Sequence, residues 1–444
     1  MGVLDSRGFR LWFAVFVLFT GIAGDFWRDL LTWYGWGVMV ALVVAGAAVL
    51  LVHNRHTVRL QKLPYPLLVF LFLAALSIAW SQYRIESVGG TIAQIITTVA
   101  AVAVAVTLTW QELLVVLGRV FRLVLGLSVV FEFIVSAFIR HPIYPVWVVP
   151  DDPAHPTKLL YWSRDLLFSA GKIQGIVGNS SLLAMAALLG LIVFAIQLAT
   201  RSVRPVAGWI WLVVAVALIA ITQSATIFLA LAAVVVVAAA VLLIRSSKSP
   251  RGRTIRYLVI VVVTVVAAVA AVVERNPILH LLGKSSDFTG RSDIWAKVIA
   301  LAEQHSAVGW GWISYWAPWV APFNHLIVKG GVQVLHAHDA WLDVWLQLGI
   351  VGLVVFGAFV LSTLVRSWLF SVDEVIDTPT GVGSYSWLTA LPLLMFVAQL
   401  VQSIAESRML IEGGWMLLVI WAVKTKWVPT IKAPTVQART KILA

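Results

Sequence analysis

Ile227-Phe228-Leu229-Ala230-Leu231-Ala232-Ala233-Val234-Val235-Val236-Val237-Ala238-Ala239-Ala240-Val241-Leu242-Leu243-Ile244 carries no charge, no proline and no glycine. At 1.5 Å per residue a helix of that length spans roughly 27 Å, close to the hydrocarbon thickness of a bilayer. Lipid offers no partner to a free amide, so such a run must be helical. Residues 36–52, 209–221 and 257–273 are likewise free of charge. The whole chain of 444 residues is 61% hydrophobic and only 12% charged, with a mean hydropathy of +0.95. A soluble globule needs far less apolar surface. We therefore expect an all-α polytopic integral membrane protein, with residues 1–444 forming a single transmembrane domain. We find no internal repeat and no room for a large soluble domain.

Cysteine is absent, which excludes a disulfide framework and thiolate metal sites. Arg7 and Arg10 before the apolar residues 11–20 imitate a secretory signal. The apolar run continues to Gly24 and a second one follows at once, so an uncleaved first helix is expected.

Charge sets the topology. The net charge of +12 is gathered in alternate loops. Arg55, Arg59 and Lys62 follow the second apolar run, Arg119 and Arg122 the fourth, and Arg201 and Arg204 the sixth. Arg245, Lys248, Arg251, Arg253 and Arg256 follow the eighth, and residues 425–444 form a basic tail with Lys432, Arg439 and Lys441. Cytoplasmic loops are the ones enriched in Lys and Arg. Both termini are thus expected in the cytoplasm, with an even number of spans, about twelve. The patches are short and loop-bound, as orientation signals and anionic-lipid contacts are. Nucleic acid is not an expected partner; the lipid bilayer is.

Two long loops then fall outside, at residues 140–179 and, between spans nine and ten, 274–338. The first is proline-rich (Pro142, Pro145, Pro150, Pro153, Pro156). The second opens on Glu274-Arg275-Asn276-Pro277 and is expected to hold a helix from about Ser292 to Glu303. It ends at Leu335-His336-Ala337-His338-Asp339-Ala340-Trp341-Leu342-Asp343, just before another apolar run. A group able to take a proton near neutral pH thus sits where a membrane helix meets water. Function is expected on this outer face. Its tryptophans (Trp295, Trp310, Trp312, Trp316, Trp319, Trp341, Trp345) suit sugar stacking or, preferably, the membrane interface.

Several stretches resemble one family. Thr289-Gly290-Arg291-Ser292-Asp293-Ile294-Trp295 and Val308-Gly309-Trp310-Gly311 resemble the main outer loop of O-antigen ligases and related polysaccharide polymerases. His338-Asp339-Ala340-Trp341-Leu342 with Gln347-Leu348-Gly349-Ile350-Val351-Gly352 resembles that family's histidine signature. Gln174-Gly175-Ile176-Val177-Gly178-Asn179-Ser180 and Glu406-Ser407-Arg408 resemble two further stretches of it. The resemblance implies a GT-C-like membrane glycosyltransferase in the cytoplasmic membrane. It would move a glycan from a polyprenyl diphosphate carrier, such as undecaprenyl diphosphate, to a hydroxyl of a glycan or glycolipid acceptor on the extracytoplasmic side. It implies inversion without a metal or other cofactor. Ligase and polymerase share these motifs. The family has asparagine after its histidine, where this chain has Asp339. It has Ser-Arg at the hairpin tip after span seven, where this chain has Ser224-Ala225.

The chemistry needs a base for the acceptor hydroxyl and cations for the leaving diphosphate. His338 is the expected base; His336, two residues away, is its rival and points elsewhere if the helix begins at Ala337–His338. Asp339 is expected to orient an imidazole or to cap a helix. Arg291, Arg164, Lys172, Arg408 and Ser224 are expected on the diphosphate. A metal site from His336, His338, Asp339 and Asp343 is the weaker reading. Glu132, alone in an apolar run, either lines a cavity or bonds a neighbouring helix; a cavity at the midplane would favour a transporter or flippase of lipid-linked glycans. A non-catalytic scaffold is the third class.

Overall fold

The computed structural model describes residues 6–55, 60–149, 157–169, 171–273, 291–373 and 385–427. Arg59, Pro150, Pro153, Pro156, the opening of the second loop including Arg275, the Thr289-Gly290 half of its first motif and tail residues 428–444 lie outside them.

The described residues form thirteen α-helices: α1 (Arg7–Ile22), α2 (Gly24–His53), α3 (Tyr65–Leu76), α4 (Arg84–Thr107), α5 (Trp110–Ile134), α6 (Ser180–Ala199), α7 (Pro205–Thr222), α8 (Ala225–Arg245), α9 (Pro250–Val273), α10 (Ser292–Ala302), α11 (Ala340–Val372), α12 (Leu391–Ser403) and α13 (Glu412–Lys426). Seven of the described helices are long and apolar enough to cross a membrane: α2, α4, α5 with the turn that extends it, α6, α7, α8 and α11. Two shorter apolar helices run over Tyr65–Ala79 and Trp387–Ser403. The fold is an all-α polytopic membrane protein. Among the described residues one small sheet, a ribbon of β1 (Val328–Lys329) and β2 (Val332–Gln333), lies in the second loop.

Helix α13 is the axis. Residues 415–423 are all buried, against α1, α4 and α11. Trp415 donates to Thr98 and Trp421 to Gln399, so the indoles lose no hydrogen bond inside the bundle. Peripheral helices α2, α7, α8 and α9 turn valine and leucine outward instead, for example Val38, Val213, Val235 and Val261.

The basic loops meet at one end of the bundle. Arg7 pairs with Glu112, Arg10 with the Thr107 carbonyl, Lys424 with the Leu108 carbonyl, Lys426 with the Leu63 carbonyl and Arg253 with Asp373. Arg119 and Arg122 do not belong to such a loop. Thr109 and Glu112 form a reciprocal capping box that starts α5 at Trp110. The two arginines therefore ride inside α5, Arg119 over the Trp12 ring and Arg122 bonded to Gln197.

At the opposite end, Glu132 closes α5. It is fully buried and accepts from the Ser163 hydroxyl (2.9 Å) and from the Gln174 and Gly175 amides (2.9 and 2.7 Å). Its carboxylate staples the first long loop to the bundle rather than lining a midplane cavity. Removing it orphans three buried donors, each costing about 1–3 kcal/mol. Glu132→Leu is expected to lower the melting temperature and to expose residues 157–179 to protease. Unchanged melting and cleavage would show that the staple is dispensable.

Candidate active site

The glycines of two motifs lie against each other. Gly349 interrupts α11 with φ 66° and ψ −166°, a conformation reserved for glycine. The bend frees backbone groups, and the 306–311 loop takes them up. Ile350 and Val351 donate to the Ser306 and Ala307 carbonyls; Trp310 and Gly311 donate to those of Leu346 and Gln347. The Gln347 side chain accepts from the Ile313 and Ser314 amides at 2.9 Å each. Trp310, Trp312 and Trp316 are buried here, and Tyr83, Phe323 and Ile294 pack with Trp310 and Trp316. Trp310 and Trp316 belong to a loop core and Trp312 to the bundle core against Phe70, not to an interfacial belt; Trp319 is 71% exposed.

That core holds the histidine strand. Trp316 donates its amide to the Leu335 carbonyl, and Trp295 of α10 donates its indole N–H to the Ala337 carbonyl. Asp343 gathers three donors: the Ala337 amide, the Trp316 indole and the Ser407 hydroxyl. It thereby ties the strand to the α12–α13 turn. His338 itself takes φ 52°, left-handed and uncommon for a residue with a Cβ. Helix α11 begins only at Ala340, so His336 does not point away: the two imidazoles lie with centroids 4.0 Å apart.

On one side of the imidazoles, His338 Nδ1 meets Glu406 Oε2 at 3.0 Å, and Arg291 Nη2 meets Glu406 Oε1 at 2.8 Å. A carboxylate can only accept, so Nδ1 carries the proton in neutral His338 and Nε2 is left with its lone pair. The His338 amide donates to His336 Nδ1 at 3.1 Å. On the other side, Tyr315 sits edge-on to His336 at 5.9 Å and against the Arg408 guanidinium at 5.9 Å. Arg408 belongs to a second charged group with Asp25, Arg28 and Glu412. Arg28 holds both carboxylates closely, while Arg408 reaches them only at 3.2 Å (Glu412) and 3.4 Å (Asp25).

These surroundings set the charges. Burial alone would raise the Glu406 carboxyl, but the His338 hydrogen bond and the charges of His338, His336 and Arg291 hold it down at about 2. Burial, the His338 charge and the two guanidiniums push His336 down to about 3. Burial works against the Arg408 charge, but Tyr315, Asp25 and Glu412 outweigh it and raise the guanidinium further. Burial keeps Asp339 above the usual carboxylate value despite two amide donors.

The sign for stability is the same for His336 and Glu406, both lowered. His336 binds a proton near 6.5 when unfolded and only near 3 when folded, so the unfolded chain gains protons first as pH falls. Glu406 stays ionised in the fold until about pH 2, so its contribution is present above the unfolded value and lost below it. We expect the melting temperature to fall from about pH 6.5 downward, and to fall less steeply for His336→Gln. Parallel slopes in the two proteins would contradict this.

Of the expected site residues, Arg291, His338 and Arg408 converge. The others are placed elsewhere. Among the described residues no hydrogen bond or ion pair joins Asp339 to an imidazole; its Oδ1 accepts from the Trp341 and Leu342 amides as the N-cap of α11. Arg164 donates to the Lys158 carbonyl within the first loop. Lys172 is exposed and Ser224 is an N-cap residue at the start of α8. Among the described residues, no hydrogen bond or ion pair joins any of these three to the imidazole cluster. Glu406, Asp25, Arg28 and Tyr315 take their places. The ligand atoms of His336, His338 and Glu406 lie within 4.8 Å of one another, close enough to hold a metal ion. Asp339 and Asp343, occupied elsewhere, are not part of that set. Arg291 on Glu406 and Arg408 near His336 make the spot better suited to an anion than to a second cation.

Residues 210–357 match the family model described as O-antigen ligase. The matched stretch holds Ser224, Arg291, the glycine unit and His338, and stops short of Glu406 and Arg408. No curated protein matches the chain. The match supports the O-antigen ligase and polysaccharide polymerase family.

Proposed function

We propose that this protein is a glycosyltransferase that moves a glycan from a polyprenyl diphosphate carrier to an acceptor hydroxyl, in the manner of the O-antigen ligases. The observation that carries the reading is the chain Arg291–Glu406–His338, which puts a guanidinium and an imidazole with a free Nε2 on one carboxylate.

The step balances as a single displacement. The acceptor O–H gives its proton to His338 Nε2. The acceptor oxygen bonds to the anomeric carbon as the bond from that carbon to the diphosphate oxygen breaks. The electron pair leaves with the diphosphate, and Arg291 and Arg408 stabilise its added charge. One displacement inverts the anomeric centre. Glu406 is a positioning residue: it holds the tautomer and stabilises the imidazolium that forms. A carboxylate that titrates only near 2 serves that role across the whole physiological range.

In this reading twelve helices span the cytoplasmic membrane, all but α10, with both termini inside. The site then faces the extracytoplasmic leaflet, where the carrier presents its glycan. Ligase and polymerase differ only in the acceptor.

The test is the purified full chain in proteoliposomes with a polyprenyl-diphosphate glycan and a hydroxyl acceptor. Free carrier diphosphate should appear one-for-one with glycosylated acceptor. Donor that crosses the bilayer unconsumed would replace the reading with transport.

A further inference from the structure

A second group of cations lies at the far end of the bundle from the imidazoles, where α3, α11 and α13 meet. Lys426 donates to the Leu63 carbonyl at 2.6 Å and stands over the Tyr65 ring at 4.3 Å. Lys62 stands over the Trp427 ring at 5.6 Å, and the Trp427 indole donates to the Lys62 carbonyl at 3.1 Å. Arg366 comes from α11, which runs antiparallel to α3. Ser77, just past α3, accepts the Trp312 amide, and the next amide, Ile313, reaches Gln347 in the first half of α11. Further along, Phe70 meets Phe356 at 5.7 Å. Lys62 lies eight residues before Phe70 and Arg366 ten after Phe356, so the two cations stand near one level. Arg366 is also close enough for its charge to act on Lys426.

The positive charge here is unanswered. Among the described residues no carboxylate bonds or pairs with Lys62, Lys426 or Arg366. Lys426 and Arg366 give their hydrogen bonds to carbonyls and one hydroxyl. Asp373 and Glu112, at this same end, are held by Arg253 and Arg7. Arg366 carries the second observation. Its Nη2 donates to the Ser362 hydroxyl at 3.2 Å, but its Nε is buried with no hydrogen-bond partner. A buried donor left unpaired keeps its full desolvation cost, and a ligand acceptor would remove it. The surroundings are apolar. Beside the cations α11 turns Leu361 and Val365 outward (60% and 47% exposed), and α3 does the same with Val69 and Phe72 (48% and 66%).

We infer that this corner seats one anionic phospholipid of the cytoplasmic leaflet, its phosphate on Arg366, Lys426 and Lys62 and its acyl chains along the outward faces of α3 and α11. An anionic head answers three cations that lack a carboxylate. An apolar tail answers the valine, leucine and phenylalanine side chains beside them, which a soluble phosphate would leave untouched. Tyr65 and Trp427 then stand at headgroup level, as amphipathic rings do. A single phosphate would join the ends of α3, α11 and α13. The inference rests on the spanning arrangement proposed above and not on glycosyl transfer.

The experiment titrates short-chain phosphatidylglycerol into the purified full chain in neutral detergent. Bound lipid is counted by native mass spectrometry and the melting temperature is followed alongside. One lipid should bind saturably and raise the melting temperature. Phosphatidylcholine of the same chain length should bind at least tenfold more weakly, and glycerol phosphate, which lacks the chains, likewise. Arg366→Leu should weaken phosphatidylglycerol binding about tenfold, the share of one charged hydrogen bond. Lys62→Gln, an exposed position, should weaken it severalfold without disturbing the fold. Lys248→Gln removes an exposed charge at the same end, away from this corner, and should leave binding unchanged. Equal losses in Lys62→Gln and Lys248→Gln would make the attraction diffuse and overturn the proposal. So would phosphatidylcholine or glycerol phosphate binding as tightly as phosphatidylglycerol. A protein that binds the lipid in this way yet transfers no glycan would sink the proposed function and leave the site standing; transfer without selective lipid binding would do the reverse.

Discussion

Replacing His338 is expected to lower the transfer rate by about 10²- to 10⁴-fold, the usual share of a positioned general base. Alanine is the obvious substitution, but His338 sits at φ 52°, and a change of backbone preference could disturb the strand. Asparagine adopts left-handed conformations more readily than most residues. His338→Asn therefore removes the base with the least strain, and the two variants should fall together. Donor binding should change little, because Arg291 and Arg408 remain. Asp339→Asn is the informative contrast. Asparagine caps helices as well as aspartate does, and the structure uses Asp339 only as a cap. Its rate should stay within about threefold of wild type, since the N-cap bonds persist. A collapse in Asp339→Asn with full activity in His338→Asn would reverse the assignment of base and support. The readout is single-turnover glycan transfer at matched amounts of folded protein.

What could be read from the sequence depended on range. The alternation of basic loops is a property of each loop alone; in the fold Arg7 pairs with Glu112 and Arg253 with Asp373, while Lys424 and Lys426 donate to the Leu108 and Leu63 carbonyls. A two-residue break between α4 and α5, with its Thr109–Glu112 cap, leaves no compositional trace, so Arg119 and Arg122 look loop-bound in the sequence but lie within α5. His338 and Arg291 were legible as motif members. Glu406 was legible as a motif member too, but not as their common partner: it lies 68 residues from His338 and 115 from Arg291. An acidic residue directly after a histidine, Asp339, was the more visible candidate, yet a helix must begin there and claims it. Asp25 and Arg28 went unread for a related reason. Charges at a junction of two apolar runs look like ordinary interfacial residues, and only the packing of α1 against α13 brings Glu412 and Arg408 to them. The first loop shows the converse. An isolated carboxylate in an apolar run is costly, which leaves open for Glu132 a cavity or a structural bond; its cost is met by three donors from the loop it holds.

Gly349→Ala is expected to be a severely damaging single methyl. An added Cβ would lie 2.2 Å from the backbone carbon and oxygen of Ala307, and the residue's φ of 66° with ψ of −166° suits only glycine. Neither neighbour is the tip of a flexible side chain, so the 306–311 loop must move as a unit. Moving it breaks the bonds from Ile350 and Val351 and pulls on Trp310 and Gly311. The displacement then reaches Gln347, the Ser314 turn and the strand that carries His336 and His338. The cost is about 3 kcal/mol or more, from a forbidden backbone conformation and two or more lost buried hydrogen bonds. Gly357 lies eight residues on in the same helix, with nothing within 4 Å of a built Cβ. Gly357→Ala should be neutral or slightly stabilising, because alanine is the better helix former. The pair separates two explanations of the glycine motif. If Gly349 served only helix flexibility, both alanines would stiffen α11 and shift melting in the same direction. If it exists to let a loop backbone dock and so aim the histidine strand, Gly349→Ala alone should lower the melting temperature by several degrees and abolish transfer.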